Sequence, residues 1–289
     1  MKTVHLILNA HIDHVWLWPW QRGLDAALNT CRTLCALLEK NEGVTFCRGD
    51  AWLYRQIELV DPALFEGVRD LVDRDRWHIV GGFWVMPDLN LPSGRGLEMQ
   101  LDLGRRYFES RFGRQPRAAF NVDSFGHPAT LPGILRRGGQ DRCVIMRPQE
   151  HEMTLPARLF RWQGEAGGPE VLTFRVARSY ATFGEEGLRD HVEQSLSELP
   201  EGVDHTMCFL GAGDHGGGPT QRQIDWCRDN ESALAGVRLV FSSPDRFFDA
   251  VEPLSARLPV VTGELQPHAV GCYSVHRGIK TAVRRAERS

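Results

Sequence analysis

Short, continuous apolar runs alternate along this chain with longer stretches in which apolar residues return every three or four positions. The first kind predicts buried strands and the second predicts helices packed on them. Val4-His5-Leu6-Ile7-Leu8 is a strand by this criterion, and Leu28, Cys31, Leu34, Cys35 and Leu38 mark a helix over 24–40. Val44 to Cys47 predicts a second strand. A helix follows from Asp50, its expected cap, and another runs from Asp61-Pro62 to about Asp75. Trp77 to Gly82 is a strand that stops at glycines, 88–94 is a loop, and 95–112 is a helix ended by Gly113. Further on come a strand over 118–122, a helix over 129–137 and a short strand over 142–145. Residues 159–162 and 171–176 predict two strands paired around the Gly167-Gly168 turn. A helix over 187–199, a strand over 205–210, a helix over 220–231, a strand over 237–241 and a helix capped by Ser243 continue the alternation.

This order, without an internal repeat, a low-complexity run or a linker, predicts an α/β fold with a parallel sheet and outer helices. The architecture expected is a (β/α) barrel of about seven strands, with a doubly wound sheet as the alternative. Composition is that of an ordinary globular chain: 289 residues, 42% hydrophobic and 25% charged. A net charge of −3 gives no basic face for nucleic acid or a membrane surface. No apolar run has the length of a membrane span, and Met1-Lys2-Thr3 leads directly into the first strand, so no signal peptide is expected. Seven scattered cysteines, an odd number with no Cys-x-x-Cys, predict reduced thiols in a cytoplasmic protein.

The polar, glycine-rich clusters all follow strands, where α/β folds place their ligands, and this puts them on one rim. His11 and Asp13 stand two apart, so extended backbone sends both side chains the same way. That makes half of a divalent metal site, or more plainly a hydrogen-bonded pair, with Trp16 as an aromatic floor nearby. Asp123-Ser124-Phe125-Gly126-His127, Gly213-Asp214-His215-Gly216-Gly217-Gly218-Pro219-Thr220 and Gly263 to Tyr273 are the other clusters. His11, Asp13, Asp123 and His268 would give a cation two imidazoles and two carboxylates, a mixed set that favours zinc over cobalt or manganese. Asp214 could hold or release a proton, and with Asp123 it would make the two carboxylates of a glycosidase. The plainer roles are a helix cap for Asp123, a turn residue for Asp214 and a hydrogen-bonding rim residue for His268.

Together these clusters resemble glycoside hydrolase family 38, the zinc-dependent retaining α-mannosidases. The likeness is carried by His11-x-Asp13-x-x-Trp16, Asp123 to His127, Gly213 to Thr220, the loop Trp84 to Gly94, and Glu264 to Tyr273 with Ile279-Lys280 and Arg284 after it. The resemblance covers the whole chain and implies an N-terminal catalytic barrel over 1–275, with 276–289 beginning a truncated helical bundle. It implies that His11, Asp13, Asp123 and His268 bind one zinc ion, with His215 the alternative to His268. It implies Asp123 as nucleophile, Asp214 as acid/base, and Trp16, Phe125, Asp88 and Tyr273 as substrate-binding residues. The activity implied is exo-hydrolysis of terminal α-mannosides through a covalent glycosyl-Asp intermediate, with the two carboxyls about 5–5.5 Å apart. The partner implied is an α-mannoside glycan, with homo-oligomers formed through the C-terminal domains that family members carry. Met86 departs from the pattern, standing where a charged group is expected. The rival readings are a metal-dependent deacetylase or amidohydrolase on the same kind of rim, and a non-catalytic carbohydrate-binding fragment.

Overall fold

The computed structural model describes residues 1–182, 184–211, 217–269, 271–274 and 276–288. Strand β1 (Lys2–Leu8) leads into helix α1 (Trp20–Lys40), and β2 (Phe46–Arg48) into α2 (Ala51–Val60) and α3 (Pro62–Asp73). Next come β3 (Trp77–Ile79), α4 (Gly94–Phe112), β4 (Ala118–Asn121), α5 (Leu131–Arg137) and β5 (Arg142–Ile145). The pair β6 (Leu159–Gln163) and β7 (Glu170–Arg175) precedes α6 (Leu188–Ser195), β8 (His205–Leu210), α7 (Gln221–Asn230), β9 (Val237–Phe241) and α8 (Pro244–Val251). Strand β10 (Val260–Thr262), which no sequence pattern announced, and the helices α9 (Gly271–Ser274) and α10 (Arg277–Ala286) follow.

The centre is β1, hydrogen-bonded in parallel to β8 on one side and β9 on the other. Its two faces meet different cores. Val4, Leu6 and Leu8 pack under α1 with Leu28, Cys31 and Leu34, while Ile7 faces Phe120, Val144, Met207 and Phe209. Burial on both faces is why β1 reads as an unbroken apolar run rather than an alternation. Helix α1 presents Leu24, Leu28, Cys31, Leu34 and Leu38 to the core, the spacing of one helix face.

The expected closed barrel of about seven strands is corrected by the pairing. Strands fall into three sheets, β8-β1-β9, β2-β3 and β10-β6-β7-β5-β4, which are parallel except for the antiparallel β6-β7 pair. Among the described residues these sheets do not close into one barrel. They touch at single points: an isolated bridge from Asn9 to Cys47, and the Gly81 N–H donating to the Ala118 carbonyl at 2.9 Å. The cause is strand length, since β2 and β3 run for only 3 residues each and cannot carry a ladder to a second neighbour.

The predicted Ser243 cap forms, and Asp61, read from the sequence only as the residue that opens α3 with Pro62, caps that helix as well. Asp61 accepts from the Leu64 N–H at 3.0 Å and Ser243 from the Arg246 N–H at 3.4 Å. Asp50 does not cap α2; at φ 68° its Oδ1 instead accepts from the Met86 N–H at 2.6 Å and ties two rim loops together. No helix among the described residues is long and apolar enough to cross a membrane.

Candidate active site

The loop after β1 is fixed by Asn9, whose Nδ2 donates to the Tyr180 carbonyl at 2.9 Å and the Leu210 carbonyl at 3.2 Å. Beyond it, His11 Nε2 stands 3.5 Å from Asp13 Oδ1 and 3.5 Å from Asp123 Oδ2. The three side chains bring one ligand atom each within 4.8 Å of one another. His11 is 8% exposed, and its Nε2 is buried without a hydrogen-bond partner. Burial works against protonation here, but the Asp123 and Asp13 carboxylates outweigh it and push the imidazole up to about 9. A buried nitrogen aimed between two carboxylates, too distant for good hydrogen bonds to either, fits a cation better than it fits a proton. The Trp18 indole holds the Asp13 carbonyl at 2.9 Å and steadies that side of the cluster.

Asp123 leaves the end of β4 just after the buried Val122. Its Oδ1 accepts from Arg147 Nε at 2.8 Å and also from Arg147 Nη2, which leaves Oδ2 to face His11. Burial opposes ionisation of Asp123, yet His11 and Arg147 together hold its carboxyl below the usual range. Arg147 follows β5, and its guanidinium lies over the Phe125 ring, 4.8 Å from the centroid. Arg147 Nη1 also meets His268 Nε2, while His268 Nδ1 lies 2.6 Å from Glu152 Oε1.

His268 is brought in by a backbone pairing. The His127 and Leu265 N–H groups each donate to the other's carbonyl at 2.9 Å. Gly126 makes this approach possible at φ +111°, where a Cβ would come within 2.6 Å of Gln266 Oε1 and 2.9 Å of the Gln266 carbonyl. Gly126→Ala is therefore expected to cost about 1–3 kcal/mol in urea unfolding. Gly67→Ala, at an exposed helical position with open space, is expected to cost nothing in the same assay.

The sequence-predicted residues are placed unequally. His11, Asp13 and Asp123 converge. Asp123 caps no helix, because α5 starts at Leu131 with Thr130 before it. His268 lies outside that group of three and reaches Asp123 through Arg147, its ring 5.0 Å from Phe125. Trp16 is 51% exposed and sits edge-on to Trp18. Asp88 is exposed, and its Oδ1 accepts from the Asn90 N–H at 2.7 Å and the Leu91 N–H at 3.0 Å. The Tyr273 hydroxyl donates to the Phe125 carbonyl at 3.4 Å, and burial, with Asp88 nearby, pushes it up to about 12. Asp214 and His215 lie outside the described residues. Sequence reasoning missed Arg147, Glu152 and Tyr180, whose ring lies 5.0 Å from His11. Arg147 carried one usable signal, since it follows β5 as the other rim residues follow their strands.

An imidazole and two carboxylates that could hold a metal ion gather beyond the ends of β1 and β4 of this α/β domain. Residues 1–267 match the model of the glycosyl hydrolases family 38 N-terminal domain, and the chain belongs to that family. Alpha-mannosidase 2C1 of Homo sapiens is 30% identical over 99% of this chain, and alpha-mannosidase of Saccharomyces cerevisiae 26% identical over 98%. The chain spans 28% and 26% of the lengths of those two relatives. The crystal structure of an alpha-mannosidase from Enterococcus faecalis superposes with a TM-score of 0.80 at 18% identity, covering 92% of this chain and 31% of that one.

Proposed function

We propose that this chain carries the catalytic site of a retaining, zinc-dependent exo-α-mannosidase. The carrying observation is the convergence of His11, Asp13 and Asp123 around an orphaned imidazole nitrogen. Two relatives that share nearly the whole chain are named alpha-mannosidases, which supports the substrate class. His11, Asp13 and Asp123 would hold the metal, with His268 as the fourth donor by its place beside Asp123 and His215 as the alternative. When bound, the metal supplies Lewis-acid chelation for the cis 2- and 3-hydroxyls that mannose presents and glucose does not.

The remaining work belongs to side chains. Arg147 keeps Asp123 ionised and directs its carboxylate, so the nucleophile is oriented before substrate arrives. Asp123 attacks the anomeric carbon to form a glycosyl ester, and Asp214 protonates the departing oxygen, then takes a proton from the incoming water. Trp16, Phe125, Asp88 and Tyr273 are the sugar-binding residues that the family resemblance implies; the contact of Tyr273 with Phe125 and its nearness to Asp88 support grouping those three. All seven cysteines are free thiols, which fits a cytoplasmic setting.

The test is release of mannose from an aryl α-mannoside, with metal content measured on the same sample. Removing the metal with a chelator is expected to lower the rate at least about a hundredfold, and added zinc should restore it. Mass spectrometry of a trapped intermediate should find the sugar on the peptide containing Asp123. Release of acetate from acetylated glycans with no such adduct would replace this reading by a deacetylase.

A further inference from the structure

The loops that leave β2 and β3 are laced together on the rim. The Ala51 N–H donates to the Phe83 carbonyl at 3.2 Å, the Trp52 N–H to the Trp84 carbonyl at 2.8 Å, and the Met86 N–H to Asp50 Oδ1 at 2.6 Å. Within this lacing Asp50 stands at φ 68°, in the left-handed region that residues with a side chain rarely occupy. Such strain persists where the surroundings enforce it, and it gathers at sites where a side chain must point one way. We infer that Asp50 is a specificity residue, which accepts a hydrogen bond from a sugar hydroxyl that the metal does not hold. The inference deepens the function proposed above and rests on it for the identity of the sugar.

One oxygen of Asp50 is used and the other is open. Oδ1 is taken by the Met86 N–H. Oδ2 stands 3.7 Å from His14 Nε2, beyond hydrogen-bond length, and that nitrogen has no hydrogen-bond partner among the described residues. The Asp50 side chain is only 13% exposed, so water serves it poorly. Beside it lies a cavity of about 10 Å³, with His11, Asp50, Phe83 and Met86 in its walls and room for a single water-sized group. His11 belongs to the metal cluster, so the cavity adjoins the place where the sugar must sit. A hydroxyl matches that space, whereas a carboxylate or a phosphate does not. Phe83 and Met86 give it apolar walls, which strengthen a hydrogen bond made inside. The charge expected at Met86 from the sequence thus arrives from Asp50, across one hydrogen bond.

In the proposed reaction the 2- and 3-hydroxyls of mannose go to the metal, and the 4- and 6-hydroxyls remain to be recognised. Either one donating to the Asp50 carboxylate makes a charge-assisted hydrogen bond. A sugar that lacks this hydroxyl displaces water and returns nothing, so the site discriminates against it.

The experiment measures kcat/KM of the zinc-loaded full-length protein and of Asp50→Asn on an aryl α-mannoside and on its 4-deoxy and 6-deoxy analogues. Calorimetric titration with methyl α-mannoside and the same two deoxy sugars measures binding without turnover. Asparagine tolerates this backbone conformation, and its amide oxygen can still accept from Met86, so the melting temperature should stay at the wild-type value. On the full sugar Asp50→Asn should lose about 10- to 100-fold in kcat/KM and in affinity. With one of the two deoxy sugars the wild type should fall to the level of the variant, and that sugar names the hydroxyl. A residue that only braces the loop would lower all three substrates by one factor. That result, a variant equal to the wild type on the full sugar, or a wild type that treats the three sugars alike overturns the inference. A wild type that binds the sugars with this dependence on Asp50 but hydrolyses none sinks the proposed activity and leaves the role of Asp50 standing. One that neither binds nor hydrolyses them overturns both.

Discussion

Asp123→Asn is expected to lower kcat/KM for α-mannoside hydrolysis by at least about a thousandfold while leaving the melting temperature close to that of the wild type. The asparagine has the same shape, and its amide oxygen can still accept from Arg147 Nε, so the loop between β4 and α5 keeps its anchor. What is lost is the nucleophile, because a carboxamide oxygen does not form a glycosyl ester that water can later open. A negative charge beside His11 is lost as well. Since Asp123 is the foremost of the two carboxylates that push His11 up to about 9, its removal should let the imidazole titrate at lower pH, which NMR can follow. Retention of a tenth or more of wild-type activity would remove Asp123 from the nucleophile's role.

Acid is expected to unfold this domain through buried histidines outside the group of His11, Asp13 and Asp123. His5, His127 and His191 are 6%, 0% and 4% exposed, and burial lowers each from 6.5 to about 4. For His5 the neighbouring His205 adds to the effect of burial. Each is neutral in the folded state over a range where the unfolded chain takes up a proton. Stability is therefore untouched above pH 6.5, falls as pH drops below it, and reaches its full loss near pH 4. Each group can contribute up to roughly 3 kcal/mol, so together they rival the roughly 5–15 kcal/mol that holds a typical domain folded. His11 acts in the opposite sense in metal-free protein: its raised value favours the fold below pH 6.5, and that gain is lost as pH rises toward 9. Urea unfolding at pH 7.5, 6 and 5 should show a plateau followed by a steep fall. Equal stability at pH 7.5 and 5 would show that these histidines are not held neutral.

Much of the site was legible because part of it is local. The i, i+2 spacing of His11 and Asp13 on extended backbone is enough to turn both toward one point, and the 3.5 Å separation follows from that geometry. The antiparallel β6-β7 pair was legible for the same reason, since a Gly-Gly turn leaves the two strands little else to pair with. The Ser243 cap was legible too, because it depends on residues three apart.

Sequence alone determined, then, the order of strands and helices as far as α8, the buried character of β1, and which residue types stand at the strand ends. Those features depend on side-chain periodicity and on hydrogen bonds that span only a few residues. Tertiary structure decided the rest. Asp50 looked like a cap, but Met86 competes for its carboxylate from another loop. The barrel was expected to close, but β2 and β3 are too short to bridge the sheets on either side. His268 meets Arg147 and Glu152 because Leu265 pairs with His127, a contact between segments more than a hundred residues apart that no local pattern encodes. Such pairings are chosen by the packing of the whole domain, where many weak contacts must be satisfied at once.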